Sequence, residues 1–181
     1  MAKAKKISAG TKGYITKLFK QGKTLPEIKE ITDVPVPRIK TILKKHLMEV
    51  CDKLWSEAVK LEADNICLVD KKPCNTNSHH MIGRSNYKYR WVLANGLCLG
   101  AYRHSMANDM AAHGSTSATQ AFADWLARNA SDRWQWFEEH RYDHELIKVD
   151  VFFLLDTMRR LEQQIELLKD KKPDLLARRR Q

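Results

Sequence analysis

Three histidines and an asparagine are spaced so that they could form one catalytic site. His79 and His80 are adjacent, and Asn95 follows His80 after 14 intervening residues. His104 follows Asn95 after a further 8 residues. Imidazole nitrogens bind divalent metal ions, and an imidazole with an ordinary pKa near 6.5 can also take a proton from water. These residue types at this spacing therefore indicate metal-assisted hydrolysis.

Local patterns around these residues predict two strands and a helix. The run 78–82 reads as the end of a first strand, and 83–88 is a polar loop. Asn95-Gly96 is a strong turn signal before a second strand over 97–99. Gly100 then opens a predicted helix that continues through His113 and ends at Gly114.

In this arrangement the first strand presents the His79-His80 pair, and the first turn of the helix presents His104. His113 lies nine residues after His104, which is half a rotation away on a continuous helix. We therefore expect His113 to stay outside the metal site.

The stretch resembles the HNH, or ββα-metal, nuclease family over about residues 65–140. The intervals from His80 to Asn95 and from Asn95 to His104 both match the pattern of colicin-type nuclease domains. Four sequence features carry the resemblance: HHMIGRSN, the Arg90-Trp91 pair, NG before the second strand, and AFADWLARNASDRW.

The resemblance implies a role for each residue. His80 would be the general base that activates water, while His79 and His104 would bind a single divalent cation. Asn95 would be structural, with its amide donating and accepting hydrogen bonds across the long loop. Arg84 is a candidate clamp for the scissile phosphate. Mg²⁺ is the expected cation, with Mn²⁺ or another transition metal as the alternative.

One part of the family pattern is missing. Many HNH proteins with similar sequence motifs hold a structural zinc ion with two Cys-x-x-Cys pairs. This chain has Cys67 and Asp70 at the positions of the first pair, and Gly100 and Arg103 at those of the second. Four sulfur ligands cannot be assembled from these positions, so we expect no structural zinc. The cysteines follow no disulfide pattern and are expected to be free thiols; they are Cys51, Cys67, Cys74 and Cys98.

The positive charge is concentrated near the N-terminus. The formal net charge is +10, and residues 1–48 hold 12 Lys and Arg against 3 Asp and Glu. A localised basic block is typical of a surface that contacts a phosphate backbone.

The same segment reads as three helices. Helical spacing of apolar residues predicts the first over 11–21, a capping box at Thr24-Leu-Pro-Glu27 opens the second, and the third covers 38–46. The stretch resembles the homeodomain-like helix-turn-helix of resolvases and many phage proteins. The third helix would enter the major groove of double-stranded DNA. A small three-helix unit can also bind protein, and that alternative stays open. The expected DNA contacts are Arg38, Lys40, Lys44, Lys45 and, from the nuclease region, Arg90.

Two further apolar stripes have helical spacing. Residues 47–61 form a predicted linking helix with one apolar face, and 147–168 repeat steps of 4 and 3 over three heptads. The second stripe could be a coiled-coil seam that makes a homodimer, or it could pack on the linking helix of the same chain. Residues 171–181 are predicted to be a basic tail.

These observations predict an α+β fold that is mostly α. The expected units are a helix-turn-helix over 1–48, a linking helix over 49–64, an HNH unit over 65–144, a C-terminal helix over 145–170, and the tail. The expected function is a DNA endonuclease or nicking endonuclease, phage-encoded or mobile, such as a homing or packaging-associated nuclease. The competing hypothesis is a DNA-binding regulator with an inactive HNH fold, and a third is a protein-interaction adaptor. No apolar run is long enough for a membrane span, and no secretory signal is recognised at the N-terminus, so we expect a cytoplasmic protein.

Overall fold

The computed structural model describes residues 7–73 and 76–171, and their fold is mostly helical with one small sheet. This confirms the α+β, mostly α, class. The elements are α1 (Ala9–Lys20), α2 (Leu25–Thr32), α3 (Val36–Glu62), β1 (Thr76–His80), β2 (Gly96–Gly100), α4 (Thr116–Asn129), α5 (Ser131–His140) and α6 (Val151–Lys171). Two short helical turns, Leu93–Asn95 and Tyr102–Met106, flank β2.

The first three helices lie close to where the sequence predicts them. Thr24 caps α2, and Glu27 completes the capping box by accepting a hydrogen bond from the backbone N–H of Thr24. Asp33 ends α2 in a left-handed conformation, and Pro35 starts α3 two residues later. The apolar positions of α1, α2 and α3 meet in one core, in which Ile15, Ile28 and Ile39 are fully buried.

The third helix does not end near residue 46. α3 continues for 27 residues, so the predicted recognition helix and the predicted linking helix are one element. No glycine or proline interrupts the chain between Arg38 and Glu62, and nothing else in the local sequence ends the helix there. At about 1.5 Å per residue, α3 is about 40 Å long. It joins the N-terminal helices to the region that contains the histidines.

The C-terminal stripe packs inside the chain. Leu154, Leu161 and Ile165 of α6 are buried, and the thiol of Cys51 on α3 lies 3.5 Å from the carbonyl oxygen of Leu154. Between the two alternatives for the stripe, the structure shows packing on α3. Burying these apolar side chains removes the surface that a coiled-coil seam would need.

The sheet consists of β1 and β2 in antiparallel pairing, with Ser78 opposite Cys98 and His80 opposite Gly96. All five residues of β2 are buried, whereas only Thr76 and His79 of β1 are buried. Gly96 is required by close packing, because a Cβ atom there would lie 2.2 Å from a methyl carbon of Val59. The Asn95-Gly96 pair is not a two-residue turn. Asn95 ends a short helical turn, and the chain between the strands runs from 81 to 95.

The predicted helix from Gly100 to His113 is wrong. Only Tyr102–Met106 is helical, in a single π-type turn, and Ala107 then adopts an extended conformation. Ser105, Asn108 and Asp109 are weak helix formers, and the ion pair of Arg103 with Asp109 holds the chain in a turn instead. The first α-helix after β2 is α4, which Ser115 caps.

Two expectations fall outside the described residues: the free thiol of Cys74 and the basic tail from residue 172 onward. Within the described part of the chain, none of the helices is both long and apolar enough to cross a bilayer.

Candidate metal centre and cleft

The histidines predicted to do chemistry meet in one cleft. The cleft has a volume of about 270 Å³, and we refer to it as the histidine cleft. Its lining residues come from β1, from the loop after it and from the segment after β2; they are Ser78, His79, His80, Gly83, Arg84, His104 and His113.

Three of these side chains form a candidate metal centre. One ring nitrogen from each of His79, His104 and His113 lies within 4.8 Å of the corresponding nitrogen of the other two. Their rings meet edge to face, with centroids 4.7 to 5.6 Å apart. Such a cluster could hold one metal ion. The structure therefore brings together the two predicted ligands and adds a third.

The expectation that His113 lies outside the metal site is wrong. It assumed a continuous helix, whereas the chain reverses after the π-type turn. The N–H of Ala112 donates to the carbonyl of Arg103, and the N–H of His113 donates to the carbonyl of His104. These two bonds place His113 beside His104. No helical period in the sequence reveals this contact, and the residue type of His113 was its only signal.

His79 is the most enclosed of the three. It is 8% exposed, and its Nδ1 is buried without a hydrogen-bond partner among the described residues. Burial, followed by the fields of His113 and His104, lowers the pKa of His79 to about 3. The ring is therefore neutral at pH 7, with a lone pair available to a metal ion. An unpartnered buried nitrogen of this kind costs free energy, which a bound cation would offset.

His80 is held in a fixed orientation beside this cluster. Its ring stacks on Trp55 with centroids 3.7 Å apart, and its Nε2 lies 2.9 Å from the backbone carbonyl oxygen of Arg90. A carbonyl oxygen can only accept, so Nε2 carries the proton and Nδ1 keeps the lone pair. Burial lowers the pKa of His80 to about 4, partly opposed by this hydrogen bond.

Asn95 lies under the cleft and does not line it. Its side chain is fully buried; Oδ1 accepts from the N–H of Ile82, while Nδ2 donates to the carbonyls of Ile82 and Tyr89. These three bonds tie the residues after β1 to the end of the connecting loop. Asn95 therefore holds the backbone that carries His79 and His80.

The two arginines singled out in the sequence have different environments. Arg84 is exposed and lines the histidine cleft, so its guanidinium is available to an anion there. Arg90, expected as a DNA contact, is engaged inside the protein. Its side chain is only 13% exposed and makes two hydrogen bonds to the carboxylate of Asp52 on α3. Arg90 therefore has an internal partner in place of the expected DNA contact. No sequence pattern indicates this partner, which lies 38 residues away.

Arg103 braces the segment that carries the second and third imidazoles. Its guanidinium binds Asp70 on one side and Asp109 on the other, and Asp70 also contacts the thiol of Cys67. Asp70 and Arg103 stand at two of the positions where HNH proteins with Cys-x-x-Cys pairs have thiolates. In this chain an ion pair joins Asp70 and Arg103, and among the described residues Cys51 and Cys67 are free thiols.

The basic residues of α3 divide between two faces. Lys40 and Lys44 border an apolar groove between α3 and the start of α6. Arg38 and Lys45 lie about 100 to 160° further around the helix, as expected for about 3.6 residues per turn, and the side chain of Lys45 is 81% exposed. Neither Arg38 nor Lys45 lines the groove.

In comparisons with known proteins, no protein-family model, no curated protein and no solved structure matches the chain.

Proposed function

We propose that this protein is a metal-dependent DNA endonuclease or nickase of the HNH type, held on its substrate by the N-terminal helices. The single observation that carries the proposal is the meeting of three ligand imidazoles with a fourth, separately oriented imidazole in one cleft. A metal centre beside a positioned base is the minimum set for hydrolysis of a phosphodiester.

The residues present fit a transition-metal ion better than Mg²⁺. Each of His79, His104 and His113 offers one ring nitrogen, and three imidazole nitrogens suit Zn²⁺, Ni²⁺ or a similar ion. Mg²⁺ prefers oxygen ligands, and the cluster found in the described residues contains no carboxylate. When bound, such an ion polarises a phosphoryl oxygen and stabilises the charge on the leaving oxygen. We therefore replace the expectation of Mg²⁺ with that of a transition metal.

His80 supplies the base in this proposal. The bond from Nε2 to the Arg90 carbonyl fixes the tautomer, so Nδ1 is the atom that accepts a proton from water. The stack on Trp55 restricts rotation of the ring. A low pKa keeps this imidazole unprotonated across the neutral range.

Arg84 would hold a phosphate at the mouth of the cleft. It is exposed, yet its charge is close enough to lower the pKa values of His80 and His104, after the larger effect of burial. An arginine in this place can donate two hydrogen bonds to a phosphate while the imidazoles act on the ester bond.

The N-terminal helices would hold the duplex through Arg38 and Lys45. Neither residue lines the apolar groove, and α3 continues unbroken to Trp55 and Ser56 beside the cleft. Helix α3 would therefore connect the DNA-holding face to the cutting site as one rigid element.

The test is nicking of supercoiled plasmid by the purified protein in Mn²⁺, Zn²⁺ or Mg²⁺ and in EDTA. We expect nicking that requires a transition metal and falls by about 10² to 10⁴-fold in His80→Ala, the usual contribution of a general base. His144→Ala is the matched control, because His144 is exposed and lies outside the histidine cleft.

Two results would contradict the proposal. One is a salt-sensitive gel shift on DNA without nicking in any metal, which would support a regulator with an inactive nuclease fold. The other is nicking that His80→Ala leaves unchanged, which would point to a contaminating nuclease.

A further inference from the structure

The outer face of α6 is apolar at its start and acidic at its end. Phe152, near the start, is 75% exposed, and Leu167, near the end, is 59% exposed. Between and beyond them the same side carries Glu162, Glu166 and Asp170, of which Glu166 also pairs with Lys169 of the same helix. The inner face of α6 is already buried against α3, so this outer face is a second surface on the same helix.

The start of α6 also forms one wall of an apolar groove. The groove has a volume of about 430 Å³, and Phe19, Phe152 and Leu155 contribute to its lining. Lys23, Lys40 and Lys44 border it. Lys23 pairs with Glu27, whereas Lys40 and Lys44 lie in no ion pair among residues 7–73 and 76–171. The carboxylate of Asp150 accepts the N–H groups of Phe152 and Phe153 and so caps α6. These N–H groups lower its pKa, and it lies close enough to Lys40 for that charge to lower its pKa further.

We propose that the outer face of α6 pairs antiparallel with the α6 of a second copy of this chain. The groove is apolar with lysines at its border, and the acidic end of α6 has Leu167 flanked by carboxylates. These two surfaces are complementary in charge and in polarity. They lie at opposite ends of one helix, so a two-fold axis near the middle of α6 satisfies both at once.

The register follows from the charges along the helix. Centring the pair between Arg159 and Glu162 brings each Arg159 beside Glu162 of the partner copy. The same register brings Leu167 of one copy over the groove of the other, with Glu166 and Asp170 near Lys40 and Lys44. Arg159 and Glu162 are exposed, and no ion pair within the described chain involves either of them.

This dimer differs from a coiled coil built on the buried stripe of α6, and it does not depend on hydrolysis. It commits the two lysines of the groove to protein contact, which leaves Arg38 and Lys45 for DNA. A closed two-fold contact also limits assembly to two copies, because the same patch is used on both.

Sedimentation velocity over a range of protein concentrations tests the proposal through charge reversal. We expect the wild-type chain to dimerise, and Lys40→Glu with Lys44→Glu to raise the dimer dissociation constant by at least about tenfold. Glu166→Lys with Asp170→Lys should have the same effect. All four changes in one chain should restore dimerisation, because every contact then regains an opposite charge.

Lys45→Glu with Lys53→Glu is the matched control, since both lysines are exposed on α3 away from the groove. This variant should dimerise like the wild type. Circular dichroism confirms that each variant is folded.

A wild-type chain that stays monomeric overturns the proposal, as does a four-fold variant that is folded yet fails to regain the dimer. Variants at Lys40 and Lys44 that lose DNA affinity but keep the dimer would also overturn it, by assigning those lysines to DNA.

Discussion

The histidine cleft and the N-terminal helices achieve their shapes in different ways. In α1, α2 and the start of α3, regular helices place each apolar residue by period, and Ile15, Ile28 and Ile39 meet in the core. In the cleft, irregular backbone places the imidazoles, and side-chain bonds to that backbone hold it. The N-terminal helices therefore depend on many small local preferences, whereas the candidate metal centre depends on a few buried polar contacts.

Removing the Asn95 amide should give the largest loss of stability, because it breaks the cleft at its support. Asn95→Ala leaves the N–H of Ile82 and the carbonyls of Ile82 and Tyr89 without their buried partner. We expect about 3 kcal/mol lower free energy of unfolding, measured by urea denaturation. Asn77→Ala, on the exposed side of β1, is the control and should change stability by less than about 0.5 kcal/mol. Equal losses for the two variants would mean that the loop does not depend on Asn95.

Removing the third imidazole tests whether the irregular segment builds the metal centre. His113→Ala should weaken Zn²⁺ binding by at least about 100-fold, or about 2.7 kcal/mol, because only two nitrogens then remain. Isothermal titration calorimetry measures the affinity, with His144→Ala as the matched control. Unchanged Zn²⁺ affinity in His113→Ala would restrict the site to the two histidines that the sequence spacing indicates.

The sequence predicts the two regions unequally for the same physical reason. The signals that predict a helix lie within a short stretch of sequence. Apolar spacing and the capping box at Thr24 therefore predict α1, α2 and the start of α3. The spacing of His79 and His104 likewise indicated two members of the metal cluster. The sequence does not predict the environments of His113 and Arg90, because they depend on a chain reversal and on a partner 38 residues away, and neither leaves a periodic signal.

The ion pair between Arg90 and Asp52 joins the cleft to α3, and its pH dependence should reveal that link. Burial opposes ionisation of Asp52, but hydrogen bonds from Arg90 and Trp91 outweigh it and lower the pKa of this carboxyl below its ordinary 3.8. A lowered folded-state pKa means that the pair stabilises the fold above about pH 4 and loses this contribution as the pH falls through the folded value.

We expect Asp52→Asn to cost about 2 kcal/mol at pH 7, since Arg90 is left largely buried without a charged partner. The difference from the wild type should shrink as the pH falls below 4. Urea denaturation at several pH values measures it. A difference that stays constant on acidification would show that the packing of residue 52, and not its charge, supports the link.

Removing the helix cap should give the smallest effect and should leave the cleft intact. Thr24→Ala deletes the hydroxyl that accepts from the N–H of Glu27 and opens the capping box of α2. We expect about 1 kcal/mol lower stability, detected by urea denaturation, and unchanged Zn²⁺ affinity, because no cap contact reaches the imidazoles. Thr24→Ser is the control and should keep most of the stability, since serine caps equally well. If Thr24→Ala also weakened Zn²⁺ binding, α3 would transmit strain between the two regions, and they could no longer be treated as independently built.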